Sequence, residues 1–323
     1  MMKFRLLSFA LIALAASSCD KAKSLVGKAR SAVASEIAKQ GESGSTKPDP
    51  ALQKLVDQTA EGVVFRKDLP FPTHIETKVT RVSEVSIRSS EASAIEKTSK
   101  QVKGTQTEIG KFERSDDQIR YTNLESTFID SGTEEDKQAA IHQAAKASKP
   151  LVFIKSGSSW KSNGTDFLSA ALSKTLSPVF DQILVENALA PRTLWFGKRR
   201  FKIGDQLAVT GATLPMLVAG KATGSFNLTL ESFEAVDGHP CGVFKVTGDY
   251  SRKQFPDIDG NLTDEDVTIQ SGKFWLSLIY PIILREETDT IQTISSGERG
   301  NLATHGRGTR KISLVREWKI TTK

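Results

Sequence analysis

Along much of the chain, apolar residues recur at every second position, the period of a half-buried strand. His74 to Ser90, HIETKVTRVSEVSIRSS, carries this near-alternation. The stretch TQTEIGKFERSDDQIRYTNLESTFI reads as two strands joined near Ser115, Asp116 and Asp117. Further on, Phe226, Leu228 and Leu230 alternate with Asn227, Thr229 and Glu231. Asp237 and Gly238 then supply a turn, and Phe244, Val246 and Tyr250 return on one face, which together is a hairpin signal. KFWLSLIYPIILREETDTIQTI gives one long strand or two consecutive ones. RKISLVREWKI alternates Ile312, Leu314, Trp318 and Ile320, with Arg316 interrupting the apolar face.

A helical period replaces the alternation in three places. Ala22, Val26, Ala29, Val33 and Ile37 recur at spacings of three and four. Residues 133–147 form an acid-started helix with Thr133 as its cap. The third, 165–189, places Phe167, Leu168, Ala171, Leu172, Leu176, Val179, Phe180, Ile183 and Leu184 on roughly one face. It is the expected main core helix, kinked or split at Pro178. LVFIK, just before it, reads as a short buried strand. The expected fold is therefore α+β and β-dominated. A long antiparallel meander sheet, open or half-barrel, packs on a central helix, and an N-terminal helical tether precedes it. The expected boundaries are 1–18, a leader; 19–48, a basic tether ending in the linker GESGSTKPDP; and 49–323, a β-rich body. The body divides into halves at about 49–160 and 190–323 around the helix.

The leader has three parts. Lys3 and Arg5 give a basic start, Leu6 to Ala15 an apolar run broken by Ser8, and Ala16, Ser17 and Ser18 a small-residue stretch. That is the layout of a secretory signal peptide, and the apolar run is far below the roughly 20 residues a bilayer span needs. The next residue is Cys19, and ASSC resembles the lipobox of bacterial lipoproteins. The resemblance implies that the Cys19 thiol carries diacylglycerol and becomes the mature N-terminus. Ala16 stands where Leu is usual, and Ser18 where Gly or Ala is usual. The alternative is a plain signal peptide with an incidental cysteine. Lipidation at Cys19 makes the membrane a partner and the cell envelope the location, facing the periplasm or exterior. Asp20 at the next position implies inner-membrane retention in some Gram-negative lipoproteins. Lys21, Lys23, Lys28, Arg30 and Lys39 then lie either on anionic headgroups or on a solvated spacer. Over residues 60–320 the strand layout, including RRFKIGDQLAVTG before the second half, is loosely similar to half-barrel envelope lipoproteins. More distantly it is similar to half-barrel lipoprotein carriers of acyl chains.

Charge and motifs narrow the function further. The 323 residues include 44 Lys and Arg against 38 Asp and Glu, a net +6. Losing Lys3 and Arg5 with the leader lowers this by two, to +4. That is mild, and with export it argues against a nucleic-acid partner. His74, His142, His239 and His305 share no metal-ligand spacing. Ser158 and Lys161 have a nucleophile–lysine spacing, but they follow a strand and have no partner motif. Asp257, Asp259, Thr263 and Asp266 fall at calcium-loop positions around Gly260, although Phe255 occupies the first position and cannot ligate. An acidic hairpin loop is the alternative. Once Cys19 is acylated, Cys241 has no disulfide partner and reads as a turn-edge or buried thiol. GERG and HGRG near 296–308 read as Arg-Gly turns between strands. No cofactor is expected. The expectation is a non-enzymatic envelope lipoprotein that binds a hydrophobic ligand or envelope component. A tethered interaction protein with a filled core is the alternative, and an envelope hydrolase lacks its nucleophile–base set.

Cells expressing the wild type should incorporate radiolabelled palmitate into the protein, and Cys19→Ala should abolish the label. An unlabelled wild type would remove the lipid anchor.

Overall fold

The computed structural model describes residues 62–65, 71–91, 98–130, 149–157, 159–163, 170–186, 199–256, 262–296 and 304–321. The leader, Cys19, the tether, the linker and the helix expected at 133–147 lie outside these residues.

The alternating segments form strands that pair with their sequence neighbours. They are β1 (Val63–Val64), β2 (His74–Glu91), β3 (Thr98–Arg114), β4 (Gln118–Asp130), β5 (Leu151–Ser156), β6 (Ser159–Ser162), β7 (Arg200–Phe201), β8 (Gln206–Thr210), β9 (Ala222–Val236), β10 (His239–Pro256), β11 (Leu262–Ser277), β12 (Ile283–Ser296) and β13 (Thr304–Ile320). One helix, α1 (Ala170–Glu186), and a 3-10 turn at Gly211–Met216 are described among them. Eleven strands make one antiparallel sheet in the order β6-β5-β4-β3-β2-β13-β12-β11-β10-β9-β8, and β1 pairs with β7 separately. The sheet has two different end strands, so it is open and not a closed barrel. It consists of two meanders, and the pairing of β2 with β13 joins them from Ile75↔Ile320 to Glu91↔Thr304.

Local chemistry explains the hairpins. Between β9 and β10, Val236 pairs with His239 across a two-residue turn. Asp237 and Gly238 both have positive φ, 48° and 77°, as the turn that matches strand twist requires. KFWLSLIYPIILREETDTIQTI resolves into two strands. β11 stops at Ser277, whose hydroxyl accepts the N–H groups of Ile279 and Tyr280. Pro281 lies in the connection, where it need not donate to a ladder.

Most of the core lies on one sheet face, while Val243 and Trp275 are buried on the other. Reading across the register, Phe244, Phe274, Trp318, Ile75 and Phe112 lie on the first face, and all are buried. At the β9–β10 end this face is covered by the β1–β7 pair. Phe65 packs 5.2 Å from the Phe244 ring and 5.8 Å from Phe201. Gly242 leaves room for this, because a Cβ there would sit 2.5 Å from the Phe65 ring.

The helix does not form the central layer expected of it. α1 runs unbroken through Pro178, and its main strand contacts are with β6 and β10. Seven strands separate those two in the sheet. Flat, that distance is about 38 Å at strand spacing, whereas a helix of 17 residues is about 25 Å long. Touching both while making few contacts with the strands between means that the sheet bows and α1 spans the opening. Periodicity marks an apolar helix face but not the surface that covers it. Two smaller expectations also change. LVFIK forms β5, but only Phe153 is buried and Ile154 is 57% exposed, because β5 sits beside a four-residue end strand with one face to solvent. HGRG lies inside β13, paired with β2 from His305↔Ser90 to Gly308↔Ile87, and is not a turn; GERG is outside the described residues.

The bow has local causes in β9 and β10. Gly248 has φ of 142°, and a Cβ there would lie 2.1 Å from the Ser225 carbonyl oxygen. The β10–β11 register slips between Lys245 and Gly248. A glycine and a bulge at one point let a strand bend sharply. Gly248→Val should therefore lower stability by at least about 2 kcal/mol, because strain and overpacking act together. Urea denaturation of the variant checks this, and an unchanged midpoint would contradict the assigned backbone strain.

Candidate functional site

Beyond the packed rows, the inner face changes character. In the row of Phe274, the next residues across are Glu286 of β12, Arg316 of β13 and Val79 of β2. Successive rows add Arg81, Gln106, Gln292 and Arg310. Of the apolar residues among them, Val267 and Ile312 are buried, while Val79, Val85, Ile269, Ile294 and Leu314 are half-buried. Protein therefore covers this part of the face only in part.

Two ion pairs cross the face. The Arg252 Nε and Nη2 groups both donate to Glu265 Oε2, at 3.1 and 2.5 Å, and Nη1 donates to Gln182 of α1. Its guanidinium also lies 3.7 Å from the Phe255 ring centre. Arg252 is thus clamped between strand and helix, and it ties α1 to β10. Arg316, 4% exposed, lies 3.4 Å from Glu286. Such buried charges persist only when paired, since removing one partner costs about 3–5 kcal/mol. Next to them Arg81 donates to Gln106 Oε1, and Gln106 donates to Glu108 at 2.9 Å.

At the other end of the face, Tyr121 lies over Gly110, where a Cβ would meet its ring at 2.3 Å. Burial pushes the Tyr121 phenol above its ordinary range, with the Glu108 charge adding to the effect. The Arg114 guanidinium stacks 3.7 Å from Phe71 and 5.4 Å from Trp160.

The residues singled out in the sequence do not converge. Asp257 and Asp259 lie outside the described residues. Thr263 and Asp266 are both in β11, but an odd spacing puts them on opposite faces. The Thr263 hydroxyl donates to the Phe255 carbonyl, and Asp266 accepts from Ser251 at 2.5 Å. No group of three His, Cys, Asp or Glu side chains suited to a metal is found among the described residues. Ser158 is outside the described residues, and Lys161 is an exposed residue of β6. The His239 ring packs edge-on to Tyr280 at 5.7 Å, and the His74 ring shares a hydrogen bond with the Thr73 hydroxyl.

Cys241 is fully buried, with its thiol 3.4 Å from the His239 carbonyl. Burial pushes the thiol up to about 12. It stays protonated at neutral pH and has none of the activation a nucleophile needs. Arg316 was visible in the sequence as an interruption of an apolar face, but its partner Glu286 was not. Arg310 was hidden in a basic run that reads as solvated surface.

No family model matches the chain, and no curated protein matches it. Among solved structures, one of lipid–protein interactions in lipovitellin is 7% identical, with a TM-score of 0.35, and the match covers 78% of this chain. This chain spans only about a quarter of the lipovitellin chain, 26%. A DUF1329 family protein from Desulfovibrio piger is 9% identical over 86% of this chain and 96% of its own, with a TM-score of 0.14. OmpF from Salmonella typhi, in complex with daunomycin, is 8% identical over 76% and 97%, with a TM-score of 0.19. Likenesses this weak carry no inference about what the chain does.

The buried thiol sets a pH dependence. In the unfolded chain Cys241 loses its proton near pH 9, while in the fold it keeps it to about 12. Above pH 9 the unfolded state therefore binds fewer protons, and stability falls as pH rises, by up to about 1.4 kcal/mol per unit from this group. Urea midpoints at pH 8 and pH 10.5 should fall further for the wild type than for Cys241→Ala. Equal losses would refute the assignment.

Proposed function

We propose that this is a cell-envelope protein, tethered to the membrane through lipid on Cys19, whose bowed sheet holds a hydrophobic ligand against its inner face. The body performs no catalysis in this reading. The observation that carries it is the incomplete cover over Val79, Val85, Ile269, Ile294 and Leu314 on the inner face of an open sheet. Their neighbours in the packed rows, Trp318, Phe112 and Phe244, are sealed by protein. Apolar surface of this kind gains about 25 cal/mol for each Å² removed from water, and an acyl chain or similar ligand supplies that cover. A bowed sheet spanned by one helix leaves an approach that a closed barrel does not.

The tether fits the same reading. A lipid anchor keeps the body at a membrane, the source of such ligands.

The test uses adjacent residues on opposite faces. Leu314 lies on the inner face and Ser313 on the outer. The full chain carrying Cys19→Ala, which needs no detergent, is titrated with the neutral probe N-phenyl-1-naphthylamine. Saturable binding is expected. Leu314→Lys should weaken it at least about tenfold, as a buried charge against a chain demands, and Ser313→Lys should leave it unchanged. No saturable binding, or equal loss in both folded variants, would overturn the proposal.

A further inference from the structure

The half-covered face is not uniformly apolar, and its polar atoms are not fully matched. Along the band from β3 to β10, four guanidinium groups (Arg81, Arg252, Arg310 and Arg316) face three carboxylates, Glu108, Glu265 and Glu286, among the described residues. Glu265 is taken by two donors of Arg252, and Glu286 lies against Arg316. Glu108 accepts from Gln106. Arg310 makes no ion pair among the described residues, and its Nε, like that of Arg316, is enclosed by protein and meets no acceptor. The group lies near enough to Arg81 and Glu265 to feel both charges, while burial weakens its hold on its proton.

A buried donor without an acceptor is rare, and a guanidinium in that state is rarer still. Three further orphan atoms share the face: the Arg316 Nε and Trp318 Nε1 donors on the same strand and the Asn123 Oδ1 acceptor on β4. Cationic and apolar groups thus alternate on one surface. Along β13, Arg310 is followed on that face by Ile312, Leu314 and Arg316. In β2, opposite, Val85 and Val79 flank Ser83 and Arg81.

We propose that Arg310, with Arg81 beside it, binds the anionic headgroup, phosphate or carboxylate, of an amphiphile whose chain lies along Leu314, Val79 and Ile269. This deepens the reading of a hydrophobic ligand and rests on it. The ligand is an anionic lipid or fatty acid, not a neutral lipid and not a free inorganic anion. Its oxygens accept from the Arg310 Nη groups, which are not among the enclosed orphan atoms, through charge-assisted bonds that a guanidinium fork makes well. The apolar rows supply the cover for its chain.

The experiment compares three probes on the full chain carrying Cys19→Ala: decyl phosphate and decanol, both below their aggregation limits, and inorganic phosphate. Decyl phosphate is expected to bind at least about tenfold more tightly than decanol, the gain of one charge-assisted bond. Arg310→Gln should erase that preference and leave decanol binding within about twofold of the parent protein. Thermal midpoints of the parent and Arg310→Gln proteins establish that both are folded, and Lys311→Gln on the opposite face should keep the preference. Decanol bound as tightly as decyl phosphate overturns the headgroup site and leaves the hydrophobic reading standing. Inorganic phosphate bound as tightly as decyl phosphate overturns the amphiphile. Binding of none of the three overturns this inference and the reading beneath it.

Discussion

The bow of the sheet is the constraint on which the rest depends. An eleven-stranded antiparallel sheet left flat would expose both faces and bury almost nothing. Bent, it brings β6 and β10 to the same helix, and it turns Ile75, Phe112, Phe153, Phe226, Phe244 and Trp318 into one continuous core. Gly248 permits the bend in β10, and the Arg252 clamp on Gln182 holds α1 to that strand. Helix and sheet are therefore not two stacked layers. The helix acts as a tie across an arch, and the arch supplies its own interior.

Within that interior, charged and apolar groups share rows: Phe244, Phe274, Glu286, Arg316 and Val79 lie across one another on adjacent strands. The Arg252–Glu265 and Arg316–Glu286 pairs are weak contributors to net stability, since desolvation offsets much of their attraction. Their stronger effect is on register. A slip of one residue in β12 against β13 would send Glu286 to the outer face and leave Arg316 buried beside no carboxylate. The ion pairs thus penalise wrong alignments of long strands in which alternation is otherwise repetitive.

Much of the strand order was legible because it is local. Phe226, Leu228 and Leu230 alternate because one face meets the core, and Asp237-Gly238 can only turn. The two strands around Ser115 to Asp117 were readable for the same reason. What was not legible is set at a distance. No feature of β13 announces that it pairs with β2. Pro178 suggested a break in α1, but a helix end-tied to two strands accommodates it. LVFIK looked buried on both faces because a continuous apolar run carries no information about a short neighbour at the sheet's end. The orphan nitrogen of Arg310 arises only once four strands stand side by side.

The joint between β2 and β13 has a consequence in time. Synthesis delivers β2 long before its partner β13, the last of the described strands. Until then the flank of β2 that β13 will occupy presents a row of open amide and carbonyl groups, the template on which another chain could add. β2 crosses that interval with charges set along its length, at Glu76, Lys78, Arg81 and Glu84. The long-range closure makes folding slow compared with a helical protein of this size. The nascent chain is thus guarded by its own electrostatic spacing until β13 reaches β2.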